Sequence, residues 1–255
     1  MSWKKITLAA WALGVTACAS IEPPPSVPAS VSQTSPTISW ERVLQYRVDD
    51  RGHIDFVGLA GDRSDLDRVV SHVYAHSPRD QPSLYPAKSN VLAYHLNAYN
   101  ALAMYQVLDA GVPDSIGGFR KLRFFGRSVQ VGGQPTTLKE YKDQIRKLGD
   151  PRVHFALNDM VIGSPRLARR PFKAELLNQQ LDIETRYFFV ENRNVRVDDK
   201  EKTVYLSELL DMYSDDFLQK APSLVAYVNQ YRDAKVPESY KVRFIPFDWS
   251  VNQRR

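Results

Sequence analysis

The chain has 255 residues, 43% of them hydrophobic and 25% charged, with 13 tyrosines and a single cysteine. That composition excludes a wholly disordered chain and any disulfide framework. A formal charge of +5, part of it from Lys4 and Lys5, is too small to imply a nucleic-acid partner.

Lys4 and Lys5 precede an apolar run from Ile6 to Val15, followed by Thr16, Ala17 and Cys18. A basic start, a short apolar core and small residues before a fixed point are the layout of an export signal. At ~1.5 Å per residue such a core is too short to cross ~30 Å of hydrocarbon. The tetrad Val15-Thr16-Ala17-Cys18 resembles the lipobox of bacterial lipoproteins. That resemblance implies a signal peptide over 1–17, lipidation of Cys18 and a membrane partner engaged through the lipid anchor. Residues 18–39 are rich in Pro, Ser and Thr and read as the lipidated cysteine and its tether, with a reach of ~60 Å if polyproline-like. No aspartate follows Cys18, so by resemblance to the lipoprotein sorting pattern the expected location is the periplasmic face of the outer membrane.

Residues 40–255 read as one folded domain of roughly 215 residues, enough for its own core. Trp40, Val43 and Leu44 share a helical face. The spacing of Leu66, Val69, Val70, Val73 and Tyr74 predicts a helix over Ser64–His76, with Ser64 as its cap. A helix over Ala87–Asp109 is apolar nearly all round and should be central. Phe124 to Val131 followed by Gly132-Gly133 predicts a hairpin. Thr137 should cap a helix running to Leu148. Val153 to Leu157 reads as a buried strand. Helices are expected at Lys173–Val190, Ser207–Gln219 and Ser223–Tyr231. A second hairpin pairs Asn194–Val197 with Thr203–Tyr205, and Val242–Pro246 forms a last strand. The sum is an α+β fold: one mainly helical domain with a central buried helix and small antiparallel hairpins.

The central helix carries Leu92-Ala93-Tyr94-His95-Leu96-Asn97-Ala98-Tyr99-Asn100-Ala101, with Asn97 and Asn100 on one face. Asparagine is a poor helix former and costly to bury, so both amides require partners. Either they orient a ligand, with Asn97, Tyr99 and Asn100 lining its pocket, or they lock neighbouring backbone. The segment resembles the W-I-N-x-Y-N-A signature of domain-of-unknown-function family 547. Asp150-Pro151-Arg152-Val153-His154-Phe155-Ala156-Leu157-Asn158, Ser115-Ile116, Leu206-Ser207 and Phe247-Asp248-Trp249-Ser250-Val251-Asn252 agree with it in order. The chain departs from that pattern at four places. Cysteines expected after Asn158 and before Pro165 are Asp159 and Ser164, a glutamate expected in the helix after Thr137 is Lys142, and the tryptophan is His95.

If the family uses Cys-His-Glu chemistry, this chain lacks the thiolate and the acid. A replacement site would need Ser164 as nucleophile, His154 as base and Asp159 to orient it, without the G-x-S-x-G elbow. Otherwise Ser164 caps a turn, His154 sits in the core and Asp159 is a solvated loop acid. His72 and His76 are spaced i, i+4 but lack the glutamate of a zinc motif, so no metal and no cofactor is expected. Tyr94, Tyr99, Tyr105, Tyr187, Phe188 and Phe189 follow helical spacing and read as core. Basic clusters at Arg120-Lys121-Leu122-Arg123 with Arg127, at Arg166 with Arg169 and Arg170, and at Arg254-Arg255 read as solvated surface or as contacts for an anionic headgroup or polymer. The expected function is a non-catalytic envelope lipoprotein, a pseudoenzyme-like chain that binds a protein partner or small ligand at a degenerate family pocket. The alternatives are a serine-dependent hydrolase or acyl transferase acting on envelope material, and an accessory factor for envelope or polymer assembly or export.

Overall fold

The computed structural model describes residues 35–254. Cys18, the signal peptide and most of the tether lie outside the described residues. Ten α-helices and five short strands form one α+β domain among those described. No helix among them is long and apolar enough to cross a membrane.

Helix α1 (Pro36–Arg47) begins four residues before Trp40, so the folded part extends slightly into the segment read as tether. Pro36 suits a first helical turn because its missing N–H would be unpaired there in any case. Trp40, Val43 and Leu44 are buried, as their spacing required. After the short α2 (Phe56–Gly61), α3 (Ser64–Ala75) packs between α1 and α4 (Lys88–Asp109). Ser64 is the first residue of α3 and does not cap it. Instead, Asp62 Oδ1 accepts from both the Ser64 amide and its hydroxyl. Helix α4 is the core: Leu96, Tyr99, Ala101, Leu102, Met104 and Val107 have no exposed surface.

Helix α5 (Phe119–Gly126) stands where the sequence suggested the start of a strand. The sequence Phe-Arg-Lys-Leu-Arg-Phe-Phe alternates with helical period, and extended backbone returns only at Arg127. The hairpin that follows, β1 (Ser128–Val131) with β2 (Gln134–Thr137), is antiparallel. Its Gly132 and Gly133 both have positive φ, as its turn requires. Gly132 N–H donates to Val73 O, which ties the turn to α3. Helix α6 (Leu138–Arg146) starts with a reciprocal cap between Thr137 and Glu140.

Val153 to Leu157 is not a strand. Asp150 accepts from Arg152 N–H and Pro151 opens a 3-10 turn, Pro151–Phe155. Local capping thus outweighs the β propensity of the apolar run. Helix α7 (Leu177–Val190) is shorter than expected, because Gln180 turns back to accept from Lys173 N–H and fixes a turn before it. Strands β3 (Val195–Asp198) and β4 (Thr203–Ser207) form the second hairpin. The expected long helix over 207–219 is two short ones, α8 (Glu208–Met212) and α9 (Ser214–Leu218), parted at Tyr213. Helix α10 (Leu224–Tyr231) completes an aromatic cluster of Phe155, Phe188, Phe189, Phe217 and Tyr227. Those rings belong to the core.

Strand β5 (Lys241–Ile245) pairs with β4 in parallel, giving the sheet order β3-β4-β5. The chain then crosses the molecule: Ser250 bridges to Ser115, Val251 to Val161, and Gln253 to Ile54. Asn252 Nδ2 donates to Gly52 O at 2.8 Å.

Candidate functional site

Helix α6 carries an apolar stripe, and Lys142 lies within it between buried Tyr141 and Ile145. A lysine there must find a counter-charge. It finds Asp159, in the loop after the 3-10 turn, with Nζ 2.9 Å from Oδ1 and 2.8 Å from Oδ2. Both side chains are buried. Tyr99 of α4 donates its hydroxyl to Asp159 Oδ1 at 2.5 Å. Burial opposes the charge on Lys142, but Asp159 and Tyr213 more than offset it and raise its pKa. Burial first, and then the neighbouring Asp159, push the Tyr99 phenol well above its usual value. Lysine, carboxylate and phenol therefore form one closed, charge-neutral unit.

The loop that presents Asp159 is held from α4. Asn100 Nδ2 donates to Ala156 O, and Asn158 N–H donates to Asn100 Oδ1, each at 2.9 Å. Asn97 accepts the Trp40 indole N–H at 3.1 Å and the Phe172 amide at 3.0 Å, and donates to Ala93 O and Phe172 O. Of the two roles open to these amides, locking of the backbone is the one their hydrogen bonds fill.

Ser164 Oγ accepts from Asp159 N–H at 3.1 Å. His154 Nε2 instead faces Asp216 Oδ2 at 2.7 Å, which Arg146 Nε also contacts at 2.9 Å. A carboxylate acceptor there places the proton of the neutral ring on Nε2, leaving Nδ1 as an acceptor with no hydrogen-bond partner. Burial pushes the pKa of His154 down to about 4, with Lys142 and Arg146 adding to the shift and Asp216 opposing it. Its ring stacks on Tyr213 at 4.2 Å. The Ser164-His154-Asp159 arrangement is thus not assembled: His154 makes no hydrogen bond to Ser164, and Asp159 is a buried ion-pair partner, not a solvated acid. Three of the residues singled out in the sequence do meet, because Tyr99 from α4 and Ser164 both hydrogen-bond to Asp159.

Above the Lys142–Asp159 pair lies a cavity of about 580 Å³. Leu122, Phe125, Leu209, Met212, Phe247 and Trp249 supply its apolar wall, and Lys121, Lys139 and Arg146 its basic edge. Lys121 Nζ sits 4.0 Å over the Trp249 ring, which packs against Phe247 at 4.5 Å. Asn97, Tyr99, Asn100, His154 and Ser164 do not line this cavity. A larger, more polar cleft of about 1150 Å³ near Asp49, His53, Asp114 and Asp248 also contains none of them.

Asp216 and the cavity wall went unrecognised in the sequence. Asp216 stands 62 residues from His154 without a local motif. Lys142 did leave a signal, as the one charge inside the buried stripe of α6.

Fold and site together define a mainly helical α+β protein with a buried ion pair beneath an apolar cleft. Residues 85–189 match the model of a family described as "Protein of unknown function, DUF547". The match supports membership of that family, and the matched segment contains α4, α6 and the Asp159 loop. No curated protein and no solved structure matches the chain.

Proposed function

We propose that the protein is a non-catalytic envelope lipoprotein that binds a small ligand or a partner's apolar group in the cleft above Lys142 and Asp159. The carrying observation is that ion pair. It occupies the two positions where the family resemblance implies a glutamate and a cysteine, and it neutralises both groups beneath a cavity inside the ~300–1,000 Å³ range of small-molecule sites. Ser164 and His154 make hydrogen bonds to Asp159 N–H and Asp216, not to each other, so neither a nucleophile nor its base is poised. The lipobox-like tetrad supports attachment through Cys18, and the residues after Cys18 support the periplasmic face of the outer membrane.

The test uses the neutral fluorophore N-phenyl-1-naphthylamine with the full chain. Saturable binding that is lost in Met212→Trp, which fills the cleft, is the expected result. Failure to bind, or binding unchanged by Met212→Trp, overturns the reading. A serine-directed fluorophosphonate should leave the folded protein unlabelled. Labelling that disappears in Ser164→Ala overturns the non-catalytic part and favours the hydrolase.

A further inference from the structure

The cleft is apolar along its walls but not at its edge. Lys121, Lys139, Lys142 and Arg146 face it against only Asp143 and Asp159. Lys142 is neutralised by Asp159, and Arg146 by Asp143 and Asp216. The charge left over therefore belongs to Lys121 and Lys139, both exposed at the mouth. Helix α5 adds exposed apolar surface, with Leu122 of the cleft at 73% exposure between the exposed Arg120 and Arg123, and Phe119 at 92% one residue before Arg120. An apolar slot with a two-lysine rim and a closed, neutral floor is complementary to a molecule with an apolar tail and one negative head.

Resting on the binding reading above, we infer that the cleft takes one acyl chain of an anionic amphiphile, that chain against Phe125, Met212, Phe247 and Trp249 and its carboxylate or phosphate between Lys121 and Lys139. The amphiphile's head has two possible sources, a free acid or a lipid in a bilayer, and both present the same chemistry to the rim. Burial of the tail supplies the binding energy, and the lysines select the head. Trp249 reports occupancy directly because it forms part of the wall.

The experiment titrates the full chain with monomeric dodecanoate and with dodecanol, following Trp249 emission as the difference from Trp249→Phe. Dodecanoate should bind at least tenfold tighter than dodecanol, and Lys121→Glu with Lys139→Glu should remove that preference. Equal affinity for acid and alcohol overturns the inference but leaves the binding reading intact if N-phenyl-1-naphthylamine still occupies the cleft. Failure of the neutral fluorophore as well removes both. Brominated phosphatidylglycerol vesicles then distinguish the source. Charge-dependent quenching of Trp249 by these vesicles, but not by brominated phosphatidylcholine, supports a bilayer lipid, whereas dodecanoate binding without such quenching supports a free acid.

Discussion

Lys142 and Asp159 are 17 residues apart, and each supplies the charge that the other needs in order to be buried. Removing either partner alone leaves an uncompensated charge, for which a loss of about 3–5 kcal/mol is expected. Lys142→Met should therefore destabilise the fold strongly. Adding Asp159→Leu and Tyr99→Phe, which removes the carboxylate together with the phenol that donates to it, should recover much of that loss. Urea unfolding of the single, double and triple variants measures the coupling. Additive losses would show that the three groups do not act as a unit.

Acid should destabilise the domain through two histidines. His154 and His95 are each pushed by burial from 6.5 down to about 4. Between these values the unfolded chain binds protons that the folded chain refuses, so stability is full above pH 6.5 and falls as pH drops towards 4. Thermal unfolding at intervals from pH 7 to pH 4 should show a declining Tm. The decline should be shallower in His154→Gln, measured relative to that variant's own Tm at pH 7.

Ser164→Ala leaves the Asp159 amide without its acceptor inside the protein. A loss of roughly 1–3 kcal/mol is expected. Binding of N-phenyl-1-naphthylamine should survive, because Ser164 does not line the cleft. A stability loss with binding intact separates this positioning role from a catalytic one.

At Gly132 an added Cβ would lie 2.0 Å from Asp80 Oδ2 in a backbone of φ +58°. Gly132→Ala should cost about 1–3 kcal/mol by forcing the turn away from Ser77 and Asp80. Gly133→Ala meets no neighbour within 4 Å, and carries only the penalty of its own positive φ. Chemical denaturation of the two variants should rank Gly132→Ala as the less stable.

Local chemistry explains what the sequence revealed. The apolar run of α4, the Thr137 cap and the Gly132-Gly133 turn each depend on neighbours a few residues away, and each is found where its pattern placed it. Val153 to Leu157 misled because a strand-like run can equally be a buried turn when Asp-Pro caps it. Phe124 and Phe125 misled for the opposite reason, since their helical neighbours lie upstream at Phe119 to Arg123. At the site, Asn97 and Asn100 announced that they needed partners but not which. Their partners at Phe172 and Ala156 lie 75 and 56 residues away, where only the tertiary fold connects them.

The crossing of residues 248–254 also governs the order in which the molecule can be finished. Helices α3 and α4 rest on contacts close in sequence, whereas Asn252 meets Gly52 across 200 residues. Loops of that span close late, because their entropy must be overcome before any contact rewards it. Until then Ile54, Ser115 and Val161 present unpaired backbone, and Trp249 has not reached the cleft it will line. On that expectation the part of the cleft wall that Trp249 supplies is among the last to close.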